Sequence, residues 1–220
     1  MTDPRPGFEV ITFPSPRELA RRMPRLLVGI VLLGTGIAMM VRARLGLAPW
    51  DVMHQGIARH TGLSIGVVII GLGVLILLVW IPLRQRFGIG TVINTLTVGL
   101  VADVALGVIA VPVRLGLRWL LLLGGVLIGA FGMALYIGAG LGPGPRDGLM
   151  TGIAAKGFPI WIVRTALELV ALVVGVALGG DIGIGTIIFA FSIGPLGHFF
   201  IERLHLGPSG TDLGPGVTAE

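Results

Sequence analysis

The feature that most limits what this chain can fold into is a series of apolar runs, each close to twenty residues long and separated by short polar breaks. About 20 apolar residues are needed to cross roughly 30 Å of hydrocarbon, whereas a soluble core needs no run of that length. Six such runs are present, over residues 26–41, 65–83, 91–111, 119–139, 160–178 and 186–201. Arg84 and Arg86 follow the second run, Arg114 and Arg118 lie between the third and fourth, and Asp181 separates the fifth from the sixth. Charged residues make up only 12% of the chain, against about 25% in a typical soluble domain. The expected fold is therefore all-α, a polytopic membrane protein of about six transmembrane helices with the lipid bilayer as solvent.

The net charge is +5, but the basic residues sit at the ends of the apolar runs rather than on one face. That pattern is a topology signal and not a nucleic-acid footprint. A cytoplasmic N-terminus puts Arg5, Arg17, Arg21, Arg22, Arg25, Arg84, Arg86, Arg146, Lys156 and Arg203 inside, and Arg42, Arg44, Arg59, Arg114 and Arg118 outside. The balance predicts a multi-pass plasma-membrane protein with both termini cytoplasmic, although Arg42 and Arg44 pull the other way. The N-terminal segment is polar, Pro-containing and without a signal-peptide pattern, so the first span is expected to be its own insertion signal. There is no cysteine, which excludes disulfides and thiolate chemistry.

A second pattern is an internal repeat. Leu45-Gly46-Leu47-Ala48-Pro49-Trp50-Asp51 followed by Gly56-Ile57-Ala58 aligns with Leu141-Gly142-Pro143-Gly144-Pro145-Arg146-Asp147 followed by Gly152-Ile153-Ala154, at an offset of 96 residues. Gly88-Ile89-Gly90-Thr91 then aligns with Gly183-Ile184-Gly185-Thr186 at an offset of 95. The predicted organisation is a disordered polar tail over 1–20, a first membrane repeat over 21–112, a second over 113–204, and a disordered tail over 205–220. Each repeat holds three spans, an odd number, so the second copy is expected to enter the membrane from the opposite side as an inverted repeat.

Each repeat also carries a segment too short to span, since residues 49–60 as a helix reach only about 18 Å. Pro49 and Pro145 suit the first position of a helix and place Asp51 and Asp147 at the third, facing free backbone N–H groups. Gly62 and Gly157 are expected C-terminal caps. Trp50, Met53 and Ile57 form one stripe of the first short helix and Asp51, Gln55 and Arg59 the other, so the helix either lies on the interface or enters as a re-entrant half-helix.

The motif Gly46 to Asp51, together with Gly56 and the later Gly-Ile-Gly-Thr, resembles the YczE/YyaS/YitT-type family of bacterial membrane proteins over roughly residues 20–204. The second copy departs from the motif, with Arg146 where Trp50 stands. The resemblance implies a multi-span plasma-membrane protein and supplies no substrate or catalytic residue.

Polar residues inside the runs are the remaining candidates for a substrate or ion pathway. Arg164 and Glu168 are one helical turn apart and able to neutralise each other. Asp103 and His198 occupy equivalent repeat positions, which a pseudo-two-fold could bring together as a proton relay. Asn94, with Thr95 and Thr97, puts a polar face on the third span. With Asp51 and Asp147, these form the predicted pathway set, and Gly46, Pro49, Trp50, Gly142, Pro145 and Arg146 form the motif set. Glycines at 29 and 36 recur at 125 and 132, permitting close helix packing and homo-oligomerisation. Neither His54 with His60 nor His198 with His205 has metal-ligand spacing, and no nucleophile-base arrangement stands out. No enzyme activity, metal or cofactor is expected. The leading function is a secondary transporter or channel for a small molecule or ion. The alternative is an accessory membrane protein that supports another membrane or biosynthetic factor.

Overall fold

Ser15, Pro16 and Glu18 form a helix-start signal well before the first apolar run. In the computed structural model, which describes residues 11–12 and 15–204, helix α1 accordingly runs Pro16–Ala43, with the Ser15 hydroxyl accepting the Glu18 N–H. Residues 16–20, assigned above to a disordered tail, are thus helical, because the polar start lies one short amphipathic stretch ahead of the membrane run. The rest of that tail, apart from Ile11–Thr12, and residues 205–220 fall outside the described residues.

The other helices are α2 (Pro49–Thr61), α3 (Ile65–Leu83), α4 (Ile89–Val108), α5 (Leu115–Gly138), α6 (Pro145–Ala154), α7 (Ile160–Ala177) and α8 (Ile184–Leu204). Six of them, α1, α3, α4, α5, α7 and α8, are long and apolar enough to cross a membrane. Among the described residues the one departure from an all-helical chain is a two-residue parallel pairing of β1 (Ile11–Thr12) with β2 (Phe87–Gly88). Its second strand is the break that precedes α4.

Helices α1 and α5 form the central pair and cross tightly through small residues. A Cβ placed on Gly29 would stand 2.8 Å from the Gly132 carbonyl, and one on Gly36 would stand 2.8 Å from the Gly125 carbonyl. As the number rises along α1 it falls along α5, so the two helices run antiparallel. Around this pair α4 packs on α1 and α8 on α5, while α2 packs on α7 and α6 on α3. Each short helix therefore seats against a span of the other half of the chain.

The same exchange appears in single hydrogen bonds. The Leu45 carbonyl accepts the Gly185 N–H at 2.7 Å, and the Leu141 carbonyl accepts the Gly90 N–H at 2.8 Å. These four residues are two aligned pairs from the repeat. The adjacent Gly46 and Gly142 have φ of +111° and +120°, a backbone region that side chains with a Cβ rarely enter.

Volume is exchanged as well as polarity. Trp80 of α3 is fully buried and packs on Gly148 of α6, while at the aligned positions Gly175 of α7 receives Val52 and Met53 of α2. A large residue on the span meets a small one on the short helix in one place, and the sizes are reversed in the other. Large apolar side chains such as Leu75, Leu78, Val170 and Val173 remain exposed, the condition of a surface solvated by lipid.

Candidate functional site

The short helices begin as the Pro-Xaa-Asp motif requires. Ala48 and Gly144 are the N-cap residues, Pro49 and Pro145 take the first helical position, and Asp51 and Asp147 the third. Gly62 caps α2 with φ +73°, its N–H on the Ala58 carbonyl. The cap of α6 is Ala155 instead of Gly157, which lies two residues further on at φ +103°. The second short helix ends early and unwinds through a turn.

Depth follows from neighbours. Pro145 lies against Gly73, the ninth of the nineteen residues of α3, and its carbonyl accepts the Trp80 indole N–H at 3.1 Å. The N-terminus of α6 therefore sits level with the middle of a span. The N-terminus of α2 meets it there, because the Arg146 guanidinium lies 5.1 Å from the Trp50 ring centroid and 3.7 Å from the Asp51 carboxylate.

The stripes of α2 face opposite to those of a helix lying on a bilayer surface. Asp51, His54 and Gln55 are buried in the protein, and Trp50, Met53 and Ile57 are partly exposed. Backbone and polar side chains at membrane depth are tolerated when protein or a water-filled cavity meets them. Here His54 Nδ1 pairs with Asp51 at 3.1 Å. Further along the helix, Gln55 donates to Asp181 at 3.1 Å and accepts the Asp181 N–H at 2.7 Å. Arg59 forks onto the same carboxylate at 2.7 and 3.0 Å. Hydrogen bonding from Arg59, opposed by partial desolvation, holds the Asp181 carboxyl below the usual carboxylate range.

Between the two N-termini lies a cavity of about 260 Å³. Asp51, Asp147, Asn94, Arg164, Glu168, Trp50, Arg146, Pro49 and Pro145 all line it, among apolar residues from α1, α3, α5 and α8. Arg164 Nε donates to Glu168 at 3.1 Å, with side-chain exposures of 43% and 28%. Tyr136 donates its hydroxyl to Asp147. Asn94 is 5% exposed, and its side-chain N–H₂ has no hydrogen-bond partner among the described residues.

Two of the predicted pathway residues lie elsewhere. Asp103 accepts from the Ser64 hydroxyl and, at 2.8 Å, from the Gly66 N–H, tying α4 to the first turn of α3. His198 is exposed and pairs with Glu202 at 3.2 Å. Neither lines the cavity. Gly46 and Gly142 do not line it either; Gly46 packs on Gly183 and Gly142 on Gly88 and Thr91. His54 and Tyr136 were not among the sequence candidates, and both had a signal. His54 is one turn from Asp51, and Tyr136 is the single tyrosine of the chain, set in an otherwise apolar run.

The two halves differ at one seam. Helices α3 and α4 pack along their length, with Gly66 against the Gly99 carbonyl and Gly73 against Thr95. Their counterparts α7 and α8 barely touch among the described residues. At the position aligned with Gly66 stands Trp161, 68% exposed, and Gly194, aligned with Gly99, has open space around its Cα. The cavity is flanked by both of these helices, through Arg164 and Glu168 on α7 and Ile193 and Ile201 on α8.

Residues 20–202 match a family model described as a family of unknown function, DUF6198. An uncharacterized protein of Haemophilus influenzae is 40% identical over 178 residues, covering 80% of this chain and 82% of the relative. The uncharacterized membrane protein YczE of Bacillus subtilis is 34% identical over 191 residues, covering 85% and 88%. The uncharacterized protein YyaS of the same organism is 28% identical over 180 residues, covering 79% and 89%. No solved structure matches the chain. With its six candidate spans and a match over nearly all of its helical length, the chain belongs to the DUF6198 family and is a membrane protein similar to YczE and YyaS.

Proposed function

We propose that this protein is a secondary transporter whose substrate binds in the cavity where its two halves, related as inverted repeats, meet. The observation that carries the reading is the convergence of two half-helix N-termini at mid-span depth, bridged by Arg146 and Asp51. In secondary transporters built from inverted repeats, discontinuous helices place their positive ends at the substrate near the midplane. The antiparallel α1–α5 pair, the exchanged hydrogen bonds of Leu45 and Leu141, and the seating of each short helix on the opposite half support the inverted relation. A sealed α3–α4 seam beside a parted α7–α8 seam is the asymmetry expected of one state of an alternating pair. Exchange of the two seam conformations would carry the cavity from one side to the other.

The test uses the absence of native cysteine. In the alternate state Thr165 and Gly194, aligned with the touching Ile70 and Gly99, come together. Thr165→Cys/Gly194→Cys in native membranes is expected to form an intramolecular disulfide under mild oxidation, counted by a maleimide-polymer gel shift. In a separate single variant, Leu72→Cys in the cavity wall is expected to react with an impermeant thiol reagent applied from either face of oriented vesicles. Failure to cross-link, with labelling from one face only, removes the transport reading and favours the accessory-protein alternative.

A further inference from the structure

The cavity's polar groups are unequally satisfied, and the inequality describes a ligand. This inference rests on the transport reading and assigns its substrate class. Three carboxylates and two guanidinium groups line the space, with His54 on Asp51. Arg146 is held by Asp51 and Arg164 by Glu168. Asp147 accepts the Tyr136 hydroxyl and the Gly144 N–H and lies in the field of Arg146 and Arg164, but makes no ion pair within 4 Å among the described residues. Its side chain is only partly buried and lines the cavity, so the carboxylate can meet an incoming donor.

The second unsatisfied group is Asn94. Its N–H₂ is enclosed on α4, faces the cavity and lacks an acceptor. A buried donor left unpaired is costly, so such a group points to an acceptor absent from the structure or to a water in its place. Leu33, Ile37, Ile69, Ile76, Val98 and Met133 make up much of the remaining wall. Such a wall favours a carbon skeleton over bulk water. At about 260 Å³ the space is just under the range of ~300–1,000 Å³ usual for small-molecule pockets.

We propose that the cavity binds a small amphipathic amine, with its ammonium on Asp147, a neighbouring oxygen accepting from Asn94, and its apolar body against α1, α3 and α5. The parted α7–α8 seam gives such a molecule a route from the bilayer. An anion of the same skeleton meets a lining with one more carboxylate than guanidinium groups, and Asp147 at the position the ammonium would take, and is rejected by like charge.

Purified full-length protein in detergent would be titrated with three matched series at neutral pH, namely straight-chain amino alcohols, alkylamines and carboxylic acids, read by calorimetry and thermal shift. Amino alcohols of at least one chain length are expected to bind, alkylamines of equal length to bind more weakly, and acids not to bind. Asp147→Asn is expected to weaken amine binding by about tenfold or more. Should that variant fail to fold, Asn94→Leu keeps the branched outline without the N–H donor and should bring the amino alcohol and alkylamine affinities together. Binding of the acids as well as the amines, absence of binding by every amine, or an unchanged preference in Asn94→Leu overturns the assignment. A protein that passes the cross-linking and two-sided labelling tests yet binds only acids keeps the transport reading and loses this substrate class.

Discussion

Arg146 stacks on Trp50, its guanidinium 5.1 Å from the ring centroid, and the two residues hold the same position in the two copies of the repeat. On the proposed inverted relation, a residue in contact with its own counterpart lies close to the axis that relates the halves. The divergence of the motif at this position is thus a matched pair. One half supplies an aromatic face and the other a cation, an attraction worth about 0.5–2 kcal/mol depending on desolvation.

This bridge predicts unequal effects for its members. Arg146→Ala leaves Asp51 in a site where its side chain is 5% exposed, with only His54 beside it, and is expected to cost about 3 kcal/mol, the lower bound for stranding a buried charge. Asp51→Asn leaves Arg146, whose side chain is 32% exposed, free to turn into the cavity and should cost about half as much or less. The double variant should be less damaged than the sum of the two. Unfolding in detergent with a graded denaturant checks the order, and equal costs for both single variants would place Asp51 in contact with water.

A second prediction concerns Trp80 and Gly148. A Cβ on Gly148 would stand 1.9 Å from the Trp80 ring, too close for any rotamer change at so buried a site, so Gly148→Ala should destabilise by about 1–3 kcal/mol through overpacking. Trp80→Phe removes ring volume and the hydrogen bond to the Pro145 carbonyl, and alone should also destabilise. Combined, the two changes should couple favourably, because the smaller ring makes room for the methyl group. Strictly additive effects in the same unfolding assay would contradict the described contact.

Orientation is a third and separate expectation. With the N-terminus inside, the α4–α5 connection faces out and the α6–α7 connection faces the cytoplasm. Val113, 97% exposed, and Lys156 report the two sides. In intact cells an impermeant thiol reagent should label Val113→Cys and spare Lys156→Cys until the cells are opened. The reverse pattern would invert the topology and move the cluster of Arg42, Arg44 and Arg59 to the cytoplasmic face.

The spans were legible because crossing a bilayer demands length and apolarity together, and few other structures ask for both. The start of α1 was missed by ten residues, 26 against Pro16, since a helix that leaves the membrane loses its apolar signature while its capping residues persist. Pro49 and Pro145 marked the short helices because a helix start uses local chemistry. Which stripe of α2 turns inward was not legible, because amphipathicity tells that two faces differ and not which solvent each one meets. The pairing of Arg146 with Asp51, residues of different repeats, depends on how the halves approach, and no local pattern carries it. Asp103 and His198 align in the sequence repeat, yet alignment alone does not bring two positions into contact, and the two residues have separate partners. On the proposed inverted relation equivalent residues meet only close to the axis, and Trp50 and Arg146 do meet.

The seating of α2 on α7 has a consequence for how the chain is made. Residues 49–61 leave the ribosome about a hundred residues before residues 160–177, a delay of roughly 5–20 s at about 5–20 residues per second. Throughout that interval α2 lacks the α7 surface on which it packs, so the segment is expected to wait at the headgroup layer. Lying on the surface and dipping into the bilayer are then successive stages in the life of one helix, and the arrival of α7 converts the first into the second.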